Sequence, residues 1–139
     1  MRKTFRSFTR SLEVRLTPHD VSLSMWFFLR LLWERDGLTQ KELSDELGLT
    51  QGTTVTAMDV MERRGLIERR RIDADRRKSF IYLTAKGRAL REELLPYAFE
   101  VNQAAEASIS ASELKQLKDI LFRINVSLGE DAESFVARQ

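Results

Sequence analysis

Short polar side chains and a group of arginines lie close together between residues 50 and 78. Thr50, Gln51, Thr53 and Thr56 occur at the start of an amphipathic segment. A glutamine can form two hydrogen bonds with adenine, and a threonine can hydrogen-bond to a base or contact the methyl group of thymine. These residue types therefore indicate recognition of a double helix through its major groove.

A basic cluster follows this polar segment. Arg76, Arg77 and Lys78 lie at the predicted tip of a hairpin, with Asp75 next to them in the sequence. The negative potential of a narrow minor groove attracts arginines, and Asp75 can hold one arginine in a single rotamer. The cluster predicts a minor-groove contact; the alternative is a hairpin whose charges are only solvated.

The charge of the chain is unevenly distributed, although its net value is only +2. Residues 1–16 contain five basic side chains and one acidic side chain, and residues 62–78 contain eight and four. Residues 17–61 have a net charge of −4 and residues 79–139 a net charge of −2. Two basic regions on a mildly acidic protein indicate localised contacts with phosphates.

The composition favours one helix-rich domain that needs no cofactor. The chain has 139 residues, of which 42% are hydrophobic and 32% charged, and it contains no cysteine. Disulfides, thiolate metal sites and thiol-based peroxide switches are thereby excluded, and the single histidine, His19, argues against a metal site. Because no nucleophile–base pair, carboxylate pair or phosphate loop stands out, we expect no enzyme activity.

The N-terminal region predicts a protein of the cytoplasm without a membrane helix. The apolar segment 25–33 is too short to cross a bilayer and contains Arg30. Residues 1–16 lack the apolar core of a secretion signal, and a transit peptide is the alternative.

Apolar spacing predicts helices on both sides of the polar segment. A first amphipathic helix is expected to end near Pro18, and Ser22 is the expected N-cap of a largely apolar helix from Leu23 to Arg35. Thr84 is expected to begin a long helix, in which Pro96 predicts a kink or an early bend.

Between these helices the pattern predicts a helix-turn-helix followed by a hairpin. Residues 39–42 match a capping box, as do residues 110–113 before the last helix, and Gly48 suits the turn. Thr50 can cap a helix that runs to about Arg64. Two short strands are expected at residues 67–71 and 78–83.

The second helix of this motif is predicted to meet DNA. If Thr54, Ala57, Met58 and Met61 face the core, the helical spacing turns a different set outward. That outward set is Gly52, Thr53, Thr56, Val60 and Arg63. The predicted DNA contacts are Thr39, Thr50, Gln51, Gly52, Thr53, Thr56, Arg63, Arg70, Asp75, Arg76, Arg77 and Lys78, and Arg69 and Arg71 are expected to face phosphates. The alternative is that the helix residues serve only as caps and surface.

These motifs together resemble those of the multiple-antibiotic-resistance regulator (MarR) family. The resemblance rests on residues 49–53, 64–69, 75–77 and 83–87, and it is strong over residues 38–90. It implies a mainly α fold with a small β-hairpin wing, in which N- and C-terminal dimerisation helices flank a winged helix-turn-helix. It also implies a homodimer that usually represses transcription and often releases DNA when a small aromatic or phenolic ligand binds.

The resemblance also assigns individual residues. The wing motif of the family, aspartate-x-arginine, falls on Asp75 and Arg77, so Arg77 is the first choice for insertion into the minor groove. The chain departs from the family at Thr56, where an arginine is often found. Base readout is therefore expected to depend on Gln51, Thr53 and Thr56.

We expect one domain with residues 22–90 as the DNA-binding lobe, residues 1–21 and 91–128 as the helical dimerisation lobe, and residues 129–139 as a frayed tail. The last helix has apolar residues at steps of three and four, as in a coiled coil, and the first helix is amphipathic. Both need a partner surface, for which an intramolecular core is the alternative. The predicted dimer contacts are Phe5, Phe8, Leu12, Leu114, Leu117, Leu121, Ile124 and Leu128.

A ligand pocket is predicted where the first two helices meet. Arg15, His19, Trp26 and Arg30 can surround an aromatic carboxylate there; the alternative is that Trp26 is a core residue and the others lie at the surface or in a loop. The leading functional hypothesis is a homodimeric repressor of a palindromic operator. A non-specific architectural DNA-binding protein and a winged helix that binds proteins are the alternatives.

Overall fold

A computed structural model describes residues 1–71 and 78–137, with side chains described as far as residue 133. The elements are, in order, α1 (Arg2–Leu16), a 3-10 turn (Thr17–His19), α2 (Leu23–Glu34), β1 (Leu38–Thr39), α3 (Gln40–Leu47), α4 (Gln51–Arg63), β2 (Ile67–Arg71), β3 (Ser79–Leu83), α5 (Ala85–Glu106) and α6 (Ala111–Ala137). The predicted mainly α fold with a small sheet is confirmed. Within the described ranges, no helix is long and apolar enough to cross a membrane.

Side-chain hydrogen bonds begin the helices at the predicted residues. Ser22 Oγ and Thr50 Oγ1 each accept the backbone N–H three residues later at 3.2 Å. Thr84 Oγ1 accepts the N–H of Gly87 at 3.1 Å. These bonds satisfy N–H groups that have no partner within the helix.

Both predicted capping boxes are present. The N–H of Thr39 donates to Glu42 Oε2 at 2.7 Å, and the N–H of Glu42 donates to Thr39 Oγ1 at 3.2 Å. Ser110 and Glu113 form the same pair of bonds at 2.8 and 3.3 Å. The N–H and hydroxyl of Thr39 lower the pKa of Glu42 from its ordinary value, and the hydroxyl and N–H of Ser110 do the same for Glu113.

The structure agrees with the expectation for Pro18 and adds one strand that the sequence did not predict. The first helix, α1, ends at Leu16, two residues before Pro18, as predicted. Pro18 lies in the 3-10 turn, because proline suits the first positions of a helical turn. Pro96 lies inside α5, and the kink or early bend expected there stays a prediction. The two-residue strand Leu38–Thr39 was not predicted; it pairs antiparallel with β3, and β3 also pairs with β2.

The chain divides into two units, Met1–Val101 and Asn102–Gln139. The core of the first unit contains buried residues from α2, α3, α4 and the sheet, among them Phe28, Leu43 and Met58. The helix-turn-helix is therefore built on a continuous core, which fixes the position of its exposed face.

Candidate nucleic-acid interface

The turn between α3 and α4 is fixed by a glycine and a buried polar contact. Gly48 adopts φ +61°, a left-handed conformation that favours glycine. Ser44 Oγ lies 2.9 Å from Thr54 Oγ1, and both residues are buried. This contact joins α3 to α4 in the core, where Ser44 also bonds to the carbonyl of Gln40 and Thr54 to the carbonyl of Thr50.

The core face of α4 agrees with the prediction, and its outer face differs at two valines. Thr54, Met58 and Met61 are buried. Val60, which was predicted to point outward, is half-buried and packs on the core. Val55, which the spacing assigned to neither face, is 40% exposed.

The burial of Val60 has a physical cause, which is the position of the start of α2. Ser22, Ser24 and Val60 line one cavity of about 350 Å³ with Thr53 and Thr56. The start of α2 therefore lies alongside one flank of α4, and it covers that flank. A helical wheel drawn for α4 alone contains no information about this neighbour.

The threonine hydroxyls of α4 are largely used within the helix. Thr56 Oγ1 donates to the carbonyl of Gly52 at 3.0 Å. The hydroxyls of Thr50 and Thr53 lie 2.9 Å apart, and Thr50 Oγ1 also accepts the N–H of Thr53. Gln51 and Arg63 are exposed on the same helix.

A polar groove joins the starts of α3 and α4 to the start of β3. Its volume is about 480 Å³. It brings together the predicted residues Thr39, Gln51 and Lys78, with Lys41 beside them. Lys41 Nζ lies 2.6 Å from Asp45, whose hydrogen bond and charge raise the pKa of Lys41. The groove thus combines two lysines and the carboxylate of Glu42 with hydrogen-bonding side chains, and it lies next to a helix N-terminus, where phosphate binding is favoured.

Arg69 was expected to face phosphates, and this expectation is wrong. Its side chain is only 22% exposed, its Nη2 lies 2.6 Å from Asp59 Oδ1, and its Nη1 pairs with Glu62. Its Nε donates to Gln40 Oε1 at 3.0 Å. Arg69 therefore connects β2 to α3 and α4, because two carboxylates and an amide surround it.

The other predicted wing residues have different positions. Arg70 pairs with Glu68, and its guanidinium lies 4.3 Å from the ring centre of Tyr82. Arg71 and Lys78 are exposed at the two ends of the described hairpin strands. The predicted contacts Asp75, Arg76 and Arg77 lie outside the described residues.

The four predicted ligand residues have separate partners. Arg15 Nε lies 3.1 Å from Glu100 Oε2, and His19 Nε2 lies 3.0 Å from Tyr97 Oη. Arg30 pairs with Glu34 on its own helix at 2.9 Å. Trp26 is a buried core residue, as the alternative interpretation held.

An apolar cavity lies elsewhere in the first unit, and it was not predicted. Its volume is about 500 Å³. Residues from α1, α2 and α3 line it together with the turn that precedes α4: Phe5, Leu23, Ser24, Phe27, Glu46, Leu47 and Leu49. Sequence periodicity gave no sign of this cavity, because its walls come from separate elements.

Apolar side chains are exposed on α1 and on α6. Phe5 is 65% exposed and Leu128 is 61% exposed, and Phe8, Leu117 and Leu121 are also exposed. The other predicted dimer contacts are half-buried: Leu12, Leu114 and Ile124. Phe99, Ile120 and Phe122 add exposed apolar surface that was not predicted.

Comparison with known proteins identifies the family of the chain. The family model for MarR matches residues 21–79. The organic hydroperoxide resistance transcriptional regulator of Bacillus subtilis (strain 168) is 31% identical over 119 residues, which are 86% of this chain and 80% of the relative. The chain belongs to the MarR family.

Further similarities support the MarR assignment. The regulator MgrA of Staphylococcus aureus is 30% identical over 115 residues, or 83% of this chain and 77% of MgrA. The crystal structure of the S. aureus MepR–DNA complex superposes with a TM-score of 0.84 at 26% identity, covering 91% of this chain and 93% of MepR. The protein is thus a DNA-binding transcriptional regulator of the MarR type and not an enzyme.

Proposed function

We propose that this MarR-type regulator acts in the cytoplasm, where it binds a palindromic operator as a homodimer and represses the genes next to it. The observation that carries the proposal is the exposed first turn of α4, where Gln51 borders the polar groove containing Thr39 and Lys78. A helix start with an exposed amide suits the major groove, and the adjacent lysine suits a phosphate.

The exposed apolar residues of α1 and α6 support the homodimer. Large apolar side chains on the surface of one chain indicate an interface. A two-fold dimer presents two copies of α4, and half-sites in such complexes are about 34 Å apart. The operator is therefore proposed to be palindromic.

The apolar cavity bordered by Phe5, Phe27 and Leu47 supports control by a small aromatic ligand. Ser24 supplies one hydroxyl at its edge. Because the chain contains no cysteine, the proposed ligand acts by binding and not by reaction with a thiol. It weakens DNA binding if it has a higher affinity for the conformation that does not bind DNA.

Fluorescence anisotropy with labelled duplexes from the upstream region of its gene tests this function. We expect one palindromic duplex to bind at least 100-fold more tightly than a scrambled duplex, with affinity that falls steeply as salt increases. Equal affinity for both duplexes at all salt concentrations would instead support a non-specific architectural protein. Binding to neither would support a protein-binding winged helix.

A reporter placed behind the same operator tests repression. Deletion of the regulator gene is expected to raise reporter expression, whereas a fall in expression would identify an activator. Adding phenolic compounds to the anisotropy assay then tests the ligand, and release of the duplex is the expected result.

A further inference from the structure

We propose that Val55 determines operator specificity by contacting the 5-methyl group of a thymine in the major groove. The proposal deepens the proposed function and rests on it. Val55 lies on α4 one turn after Gln51, and its side chain is 40% exposed although it is apolar and β-branched. Among the four bases, only thymine presents a methyl group in the major groove.

Hydrogen bonds within this segment reduce the capacity of its threonine hydroxyls to recognise a base. The hydroxyl hydrogen of Thr56 is used on the carbonyl of Gly52, and the hydroxyls of Thr50 and Thr53 bond to each other. Gln51 remains as the exposed amide of the first turn. Discrimination between bases must therefore depend more on shape and methyl contact than the residue types alone suggest.

Gly52 lets this part of the helix approach the bases closely. It lies one turn before Val55, and a Cβ added to it would meet no atom within 4 Å. The neighbouring exposed side chains at positions 53, 55 and 56 are all short. A valine side chain extends only a few ångströms from the helix. Its methyl groups can therefore contact a base edge only when the side chains around it are short.

The surroundings of Val55 favour a base over a phosphate. One turn further along α4, the carboxylate of Asp59 is paired with Arg69. Within the described residues, Asp59 and Glu62 together balance the charge of Arg69, so Arg69 does not draw the DNA backbone toward this flank of α4. In a helix, moreover, valine has one strongly preferred χ1 rotamer, so its methyl groups are held in a defined position.

The test starts from the operator sequence, which the full-length protein selects from a random duplex library. Each thymine of the selected site is then replaced in turn by uracil, a change that removes only the methyl group. We expect one position in each half-site where uracil weakens binding by the wild-type protein about four-fold, as for one buried methyl or methylene group.

The decisive variant is Val55→Ala, which is expected to bind the thymine and uracil duplexes equally well. Alanine has the highest helix propensity, so α4 is retained. Val126→Ala is the matched control because Val126 is a similarly exposed helical valine on α6. This control is expected to keep the four-fold preference for thymine.

The outcomes distinguish a failure of the methyl contact from a failure of the proposed function. If uracil has no effect at any position, or if Val55→Ala keeps the full preference for thymine, the methyl contact is refuted while operator binding stands. If the library selection enriches no sequence, the proposed function fails and the methyl contact fails with it.

Discussion

Gln51 is the side chain whose loss should cost most in base readout by α4. Its amide is exposed in the first turn, and a bidentate amide–adenine contact contributes about 1–3 kcal/mol of discrimination. Gln51→Ala is therefore expected to weaken operator binding about ten-fold or more and to leave binding to scrambled DNA nearly unchanged. Anisotropy titrations of both duplexes measure the two effects. Gln116→Ala on α6 is the control, and an equal loss there would contradict the assignment.

Gly52 should show a trade-off between stability and DNA binding. A glycine inside a helix lowers the stability of a protein by roughly 0.5–1 kcal/mol relative to alanine. A Cβ added at Gly52 would meet no neighbouring atom. Gly52→Ala should therefore raise the free energy of unfolding and, by keeping α4 further from the bases, weaken operator binding. Denaturant unfolding and anisotropy measure the two quantities.

Gly129→Ala offers the matched control for this trade-off. Gly129 is also a helical glycine with open space around its Cα, but it lies on α6. The substitution is expected to stabilise the protein without any effect on base readout. If Gly52→Ala stabilises the protein and leaves operator affinity unchanged, close approach at Gly52 is not needed.

Single residues show where sequence reasoning succeeds and where it fails. The buried positions Thr54, Met58 and Met61 follow from helical spacing, because one core lies on one side of α4. Val60 and Arg69 do not follow from it, since their environment comes from α2 in one case and from two carboxylates on α4 in the other. Partners on other elements decided both positions.

The capping box of α3 predicts a dependence of stability on pH. The N–H and hydroxyl of Thr39 lower the pKa of Glu42 below its ordinary value of 4.5. The folded protein therefore keeps this carboxylate charged at lower pH than the unfolded chain does. Its contribution to stability is fully present above pH 4.5 and is lost as the pH falls through the lowered pKa.

Glu42→Gln tests this dependence through urea unfolding at a series of pH values. Because Glu42 is exposed, the expected loss at pH 7 is small, about 0.5 kcal/mol. The difference from wild type should shrink as the pH falls below 4.5. Glu92→Gln, at an exposed carboxylate outside any capping box, is expected to show no such convergence. A constant difference at all pH values would contradict the role of the charge.

At the scale of elements, local signals predict helices better than sheets. Caps at Ser22, Thr39 and Thr50 are encoded within four residues of sequence, and all of them are present. The strand Leu38–Thr39 depends instead on pairing with β3, some forty residues away. Two residues are too few to show a periodic pattern, so only the folded core reveals this strand.

At the scale of the whole molecule, the sequence indicates the interaction surfaces but not their partners. The exposed Phe5 on α1 and the exposed Leu117 and Leu121 on α6 follow from helical spacing, as does the polar start of α4, whereas the exposed Ile120 and Phe122 do not. The apolar cavity next to Phe5 does not follow, because three helices and a turn must meet to form it. The spacing within one helix is enough to predict an exposed surface. A pocket cannot be predicted in this way, because it forms only when several elements pack together.

The proposed homodimer leads to the last prediction, which concerns the apolar residues that helical spacing places along one stripe of α6. Leu121→Glu places a charge in this stripe, where burial against a second copy would remove it from water. We expect the variant to be a monomer by light scattering at micromolar concentration and to lose at least ten-fold in affinity for the full palindrome. Its affinity for a single half-site should change little, because the first unit, Met1–Val101, keeps its own core.

Lys115→Glu is the control for this variant, because it introduces the same side chain on the same helix outside the predicted stripe. It is expected to remain a dimer and to bind the palindrome as wild type does. If Leu121→Glu is also a dimer with normal affinity, α6 is not the dimer interface. If the wild-type protein is itself a monomer and binds the palindrome tightly, it does not bind as a preformed dimer. The apolar stripe of α6 must then contact another partner.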